Sequence, residues 1–313
     1  MTLGILTTRA RLAAGDSASG LAAGVRAGRL TRLRPGAFVV TDAWHRATPR
    51  VRHRAAMDAL LLTARRAPVF ARESAALLHD IPVIGEWPER PHLLDSELTP
   101  ASRRSPREAI VHRPRHLPDI VEVGGLRATA PVDTALALAA SRPIVGGVVA
   151  LDHVLARGAD LETVVRTVDE WRPFHGAGRV SRALELANGL AETPLESLSL
   201  VGILLGGLPE PRQQFDVVAR GCRYRLDFFW PESGVVGEAD GRGKYLTTDD
   251  LWREKQREDD LRATGLTVAR WDWDDAWARA PMLAKLARAG VHPAPQSSRY
   301  SAGLRRSNVK VAE

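Results

Sequence analysis

Hydrophobic and polar positions alternate most strictly between Cys222 and Gly241. By the two-residue period of a strand, Arg223, Arg225, Asp227 and Phe229 share one face, and Tyr224, Leu226, Phe228 and Trp230 the other. Pro231-Glu232-Ser233-Gly234 supplies turn residues, and a second strand opens at Val235, with Val236, Glu238 and Asp240 on one face. Closing this as a hairpin sets Trp230 opposite Val235, Asp227 opposite Glu238 and Arg225 opposite Asp240. Helical periodicity dominates elsewhere. Arg50 to Arg65 is an amphipathic helix with Ala55, Ala56, Ala59 and Leu62 inward, and Arg72 to His79 a shorter one ending before Ile81-Pro82. His92 to Leu94, Ala109 to His112 and Val121 to Thr129 read as strands, Thr134 to Ala140 and Val145 to Leu155 as helices.

Towards the C-terminus, Val180 to Leu190 and Pro194 to Leu205 are predicted helices, the second capped by Thr193 with Pro194 in its first turn. A strand over Gln213 to Val218, the hairpin, a helix over Thr248 to Thr264, a strand over Leu266 to Trp271 and a helix to Ala289 follow. The order is helix, three antiparallel strands, helix, strand, helix, which is an α/β sandwich. The chain is therefore expected to be of the α/β (α+β multidomain) class. Residues 1–45 form an N-terminal winged helix-turn-helix, 46–175 a mixed α/β middle region, 176–292 the C-terminal α/β sandwich, and 293–313 a flexible basic tail.

The first 45 residues carry the winged pattern. Thr7-Thr8 caps one helix that ends at Gly15, and Ser17 caps a second through Leu21 and Val25. Arg29 to Arg34 alternates, Pro35-Gly36 turns, and Ala37 to Val40 returns. Ser17, Ser19 and Arg26 are the candidate base readers on the second helix, and Arg29, Arg32 and Arg34 line the wing. With so few readers, contact through phosphates is favoured over base readout. The same fold also serves for packing or protein contact.

Charge and composition sharpen this only in part. A net charge of +7 and a pI near 10.2 favour a polyanionic partner such as double-stranded DNA, although the Ala, Gly and Arg abundance also fits a GC-rich coding sequence. The one cysteine, Cys222, excludes an internal disulfide framework and fits a reducing cytoplasm. No signal peptide and no membrane-spanning run are evident. In the middle region His79 has no second ligand at metal spacing and reads as a helix-terminal packing residue; no nucleophile, phosphate loop or zinc pattern occurs there.

The hairpin holds the candidate chemistry. Two opposed carboxylates at about 4 Å repel by roughly 4 kcal/mol at an effective dielectric near 20. A shared proton, an arginine or a divalent cation must offset this. One reading is a Mg²⁺ (or Mn²⁺) site for phosphodiester chemistry; the other is a solvated sheet face on which Arg223 and Arg225 neutralise the acids.

Glu196, Leu208-Pro209, Gln214, Arg225-Leu226-Asp227-Phe228, Glu238-Ala239-Asp240-Gly241, Lys244-Tyr245, Glu254-Lys255 and Leu261 together resemble a PD-(D/E)xK nuclease-related domain. It is the group similar to the very-short-patch mismatch repair endonuclease, with a restriction-endonuclease-like sandwich, and the likeness spans about residues 178 to 278. Residues 1–45 resemble the winged-helix domain of type IV toxin-antitoxin antitoxins. The first resemblance implies a metal-dependent endonuclease or nickase. In it Asp227 and Glu238 are the strand acids, Glu196 joins the metal shell directly or through water, and Gln214 orients the water. The second implies a DNA-binding regulator with a toxin protein as partner, the nuclease fold surviving as an inactive scaffold. The nuclease pattern has lysine two positions after Glu238, where this chain has Asp240, leaving Asp240 as a metal ligand or as an ion-pair partner of Arg225. Lys255 and Lys244 are the candidates for a migrated lysine, Lys244 also as a nucleic-acid contact; each reads equally as surface charge.

Overall fold

The computed structural model describes residues 2–95, 108–240 and 248–293. The chain is an α/β protein with helices and mixed sheets, divided into two compact units, 1–185 and 186–313. The division lies ten residues after the predicted boundary at 175, and the residues predicted as a winged helix and as the middle region fall in the first unit.

The first unit opens with β1 (Leu6–Thr7), α1 (Thr8–Ala13), α2 (Ala18–Arg26), β2 (Leu30–Arg34) and β3 (Ala37–Val40). Thr7 and Ser17 cap the two helices, their oxygens accepting the backbone N–H groups of Ala10 and Gly20. The three strands form a sheet in the order β1-β3-β2, with the predicted ribbon pairing Leu30 with Val40 and a register shift between Arg32 and Arg34. Then come α3 (Thr41–Arg46), α4 (Pro49–Thr63), β4 (Val69–Phe70), α5 (Arg72–Leu78), β5 (His92–Leu94), β6 (Ile110–His112), β7 (Ile120–Val123) and β8 (Leu126–Thr129). Gly124 and Gly125, both at positive φ, break the run predicted as one strand into the β7–β8 hairpin. The five strands make a mixed sheet, β6-β5-β4-β8-β7.

On α4 Ala55 and Ala59 are buried as predicted, together with His53, Met57 and Leu60, whereas Ala56 is half-buried and Leu62 is 60% exposed. Three consecutive leucines carry no phase, and Met57 and Leu60 enter the core with Phe70, Leu77 and Ala128. His79 packs as predicted, its Nε2 2.8 Å from the Thr129 carbonyl. The unit closes with α6 (Pro131–Ser141), α7 (Ile144–Ala156), α8 (Leu161–Trp171) and α9 (Ala177–Leu184). Helix α8, capped by Asp160, was not expected from the sequence. Helix α9, predicted to open the C-terminal domain, packs on α6 and α7 instead.

The second unit begins with α10 (Pro194–Leu205), capped by Thr193 as predicted and buried along nearly its whole length. Its leucines, Val201 and Ile203 spread around the helix, as in a helix enclosed by a core, and its buried Glu196 and Ser199 have hydrogen-bond partners. The strands β9 (Arg212–Ala219), β10 (Cys222–Trp230) and β11 (Val235–Ala239) run antiparallel. After α11 (Thr248–Ala263), β12 (Thr267–Trp271) joins β11 in parallel, giving the order β12-β11-β10-β9, and α12 (Trp273–Ala278) and α13 (Ala280–Ala289) follow. Arg220 and Gly221, both at positive φ, make the two-residue loop that places exposed Cys222 beside Ala219.

The hairpin has the predicted register, Trp230 opposite Val235 and Phe228 opposite Gly237. The alternation along β10 does not persist, however. Tyr224 donates its hydroxyl to Asp260 of α11 at 2.7 Å, whereas Phe228, four residues on, stacks against Trp271, whose indole N–H bonds Ser199 of α10. Between them the β9–β10 ladder skips the step at Asp227 and Gln214, and Gln214 has φ 50°. Phe215, opposite Leu226, stacks on Phe229 instead.

Gly237 lies under two buried indoles. A Cβ there would come within 2.6 Å of the Trp271 ring and 3.0 Å of the Trp230 ring. Gly237→Ala is expected to cost about 1–3 kcal/mol through overpacking. Urea unfolding followed by tryptophan fluorescence should show an earlier midpoint, and an unchanged midpoint would mean the indoles yield freely.

Candidate functional site

The carboxylates predicted to converge come from the start of α10 and from β10 and β11. Glu196 lies three residues after the cap. Its Oε1 accepts the Thr193 hydroxyl at 2.8 Å, and its Oε2 accepts the Glu192 N–H at 2.8 Å and the Gln214 side-chain amide at 2.7 Å. This reciprocal capping satisfies donors that a helix start otherwise leaves open. Burial raises the Glu196 carboxyl above the ordinary range, these hydrogen bonds pull it back, and the charges of Asp227 and Glu192 raise it further.

Asp227 bridges the two strands: its Oδ2 accepts the Ala239 N–H at 2.9 Å. Extending the register one step beyond Phe228 and Gly237 brings it beside Glu238, which is 1% exposed. Burial pushes Glu238 up to about 8, Arg257 opposes this, and the nearby charge of Asp227 adds to it. Asp227 thus bears electrostatically on both buried acids.

The cation that answers Glu238 is Arg257 of α11, which the motif spacing does not single out. Its Nη2 donates to Glu238 Oε1 at 2.8 Å and to the Arg225 carbonyl at 2.8 Å. A signal was available. Arg257 lies four residues before Leu261 and three before Asp260, the buried positions of α11, and hence on the same helix face. Lys255, the lysine proposed from that helix, is exposed.

Two other predicted placements change. Asp240 pairs with Arg270 of β12 at 3.0 Å, not with Arg225. Arg225 stands opposite Asp216 on β9 and reaches Glu192 at 3.2 Å, because its other hairpin neighbour has been taken by the parallel strand. Gln214, predicted to orient a water, donates its amide to Glu196 and so positions that acid.

Among the described residues, no group of three or more His, Cys, Asp or Glu side chains is placed to hold a metal ion. The predicted shell of Glu196, Asp227, Glu238 and Asp240 is therefore not assembled. Glu196 is committed to capping and Gln214, and Asp240 to Arg270. Asp227 and Glu238 remain as a pair. Two carboxylates, completed by water and phosphate oxygens, are a donor set that Mg²⁺ accepts.

On the segment predicted as a winged helix, Arg26, Arg29 and Arg32 are exposed and none forms an ion pair with a described residue. Arg34 is half-buried, with Nε and Nη1 buried and unpartnered. Ser17 is used as a cap and its hydroxyl lies 2.9 Å from that of Ser19. Lys244 lies outside the described residues.

No family model matches the chain. It is similar to an uncharacterised protein of Mycobacterium tuberculosis, found in the CDC 1551 / Oshkosh and H37Rv strains. In each case the identity is 29% over 202 residues, covering 63% of this chain and 72% of the relative.

Proposed function

We propose that the second unit is a metal-dependent DNA endonuclease or nickase, with Asp227 and Glu238 holding Mg²⁺ or Mn²⁺. One observation carries this reading: a fully buried glutamate raised to about 8 stands beside a second carboxylate on adjacent strands of a helix–three-strand–helix–strand unit. Perturbed carboxylates so paired are a mark of functional sites. A bound metal would supply Lewis-acid stabilisation of the phosphate and an acidified water. The chain's own part is to hold Glu238 with Arg257, fix Asp227 on the Ala239 N–H, and keep Glu196 turned inward through Thr193 and Gln214. Exposed Arg26, Arg29 and Arg32 would grip the phosphate backbone of double-stranded DNA. No helix among the described residues is long and apolar enough to cross a membrane; the single cysteine fits work in the cytoplasm.

The expected result is that purified protein nicks supercoiled plasmid with Mg²⁺ or Mn²⁺, and that Asp227→Asn lowers the rate by at least about a hundredfold, the scale of several kcal/mol of lost transition-state stabilisation. Equal rates in both proteins would overturn the assignment.

A second reading has its own support: Glu238, Glu196 and Asp240 each already have a protein donor. On it the chain is an antitoxin-like DNA-binding regulator, with a toxin protein as partner and the nuclease fold as scaffold. DNA binding that survives Asp227→Asn and weakens steeply with salt, with no cutting in the unsubstituted chain, is its signature.

A further inference from the structure

The first unit contains a cavity of about 550 Å³ that the carboxylate pair of the second unit does not use. The volume lies within the roughly 300–1,000 Å³ of small-molecule sites. Its walls are mostly apolar. Trp171 and Phe174 meet edge to face at 5.9 Å, and Leu94, Pro118 and Ala137 continue the lining. Polar side chains also line it, with Arg115, His116 and His175 exposed at its margin, and two of the half-buried ones, Arg72 and His112, have polar atoms without partners. Arg72 is half-buried and forms no hydrogen bond or ion pair with a described residue; His112 has its Nε2 buried and unpartnered.

Arg72 is not needed as a counter-ion for its neighbour. Glu73 already has Arg142 Nε at 2.7 Å and His92 Nδ1 at 2.8 Å. Arg113, also on the lining, is held by Asp95 at 2.9 Å. The backbone at Arg72 has φ 48°, a left-handed conformation that costs an ordinary side chain about 1 kcal/mol or more and concentrates at working sites. A guanidinium is therefore set into the chamber by a strained residue, with no carboxylate among the described residues in hydrogen-bond reach of it; Glu73 acts on it through its charge and Asp133 lines the same chamber.

We propose that this cavity binds a small organic anion, a planar apolar body bearing one carboxylate, with the carboxylate on Arg72 and the body against Trp171 and Phe174. A guanidinium fork matches a carboxylate in two parallel hydrogen bonds. The unpartnered Nε2 of His112 is a further polar contact for the ligand. Asp133, also on the lining, does not oppose an anion at neutral pH with its full charge. Burial, and then the charge of Asp119, lift its carboxyl to about 7, so that part of it is protonated and can donate. Arg113 is held by Asp95 and Arg115 is exposed, which leaves Arg72 as the half-buried guanidinium without an acid partner and suits a single charge on the ligand.

The test is calorimetric titration of the full chain with 1-naphthoate, indole-3-acetate and phenylacetate, against 1-naphthalenemethanol and adenosine monophosphate. At least one of the three acids should bind at micromolar to low millimolar concentration. The neutral alcohol should bind about tenfold or more weakly than 1-naphthoate, the worth of one charge-assisted hydrogen bond. Arg72→Gln should remove that preference, and Ala137→Leu, which fills the chamber, should abolish binding; melting temperatures report whether each variant folds. The contrast between acid and alcohol in the unsubstituted chain needs neither variant. No binding by any acid, equal binding of acid and alcohol, or a clear preference for the nucleotide would each overturn the proposal.

Discussion

A Glu238→Gln chain should withstand urea better than the natural chain above pH 8, by on the order of 4 kcal/mol. Glu238 is fully buried, and its carboxyl is raised from the ordinary 4.5 to about 8, chiefly by burial, against the pull of Arg257 and with the added push of Asp227. A raised acid stabilises the fold only while protonated. Below pH 4.5 folded and unfolded chains both carry the neutral form, and glutamine gains nothing. From 4.5 to 8 the unfolded chain ionises while the folded chain resists, so the natural protein loses stability progressively. Above 8 the loss is complete, whereas glutamine keeps the neutral shape and an acceptor for Arg257. Millimolar Mg²⁺ should narrow the gap, because a cation on Asp227 and Glu238 stabilises only the natural chain. Urea midpoints at pH 4, 6 and 9, with and without Mg²⁺, measure both effects. A variant that weakens as pH rises would mean that Arg257 dominates the environment of Glu238.

The first unit should answer the opposite way. Glu73→Gln is expected to lose about 3 kcal/mol at pH 7. Burial alone would raise Glu73, but His92 and Arg142 override it and the carboxyl sits at about 2. Its stabilisation is present above pH 4.5 and disappears as pH falls toward 2, so the gap between natural chain and variant should close over that window. Thermal melts at pH 7 and pH 3 give the comparison. An equal penalty at both would assign the effect to packing rather than charge. Two buried glutamates in one chain thus differ in the sign of their contribution, set by whether cations or burial prevails around each.

Where neighbours lie close in sequence, the fold was legible. The Pro231 to Gly234 turn gave the hairpin register, Thr193 and Pro194 the start of α10, and Thr7 and Ser17 the first two helices. Each is a local rule satisfied by adjacent residues. What escaped depends on distant partners. Glu73, His92 and Arg142 are spread over three elements, and no spacing links them. Arg257 is one of many charges on a helix whose apolar positions are too few to phase it at a glance. Asp240 was paired by hairpin logic with Arg225, but a parallel strand arriving later in the chain offers Arg270 instead. The break in β10 alternation coincides with the left-handed backbone of Gln214 across the ladder, a residue type that gives no hint of that geometry. The pattern thus places Asp227 and Glu238 on neighbouring strands, but not the groups that decide their charge.

The exposed sulfur at the tip of the β9–β10 ribbon is the chain's sole thiol. Oxidation has no second partner within the molecule, so it can couple only two copies, tip to tip, or attach a small thiol. A covalent species of twice the monomer mass on a non-reducing gel would thus report a single junction, and a maleimide dye would mark one address per molecule.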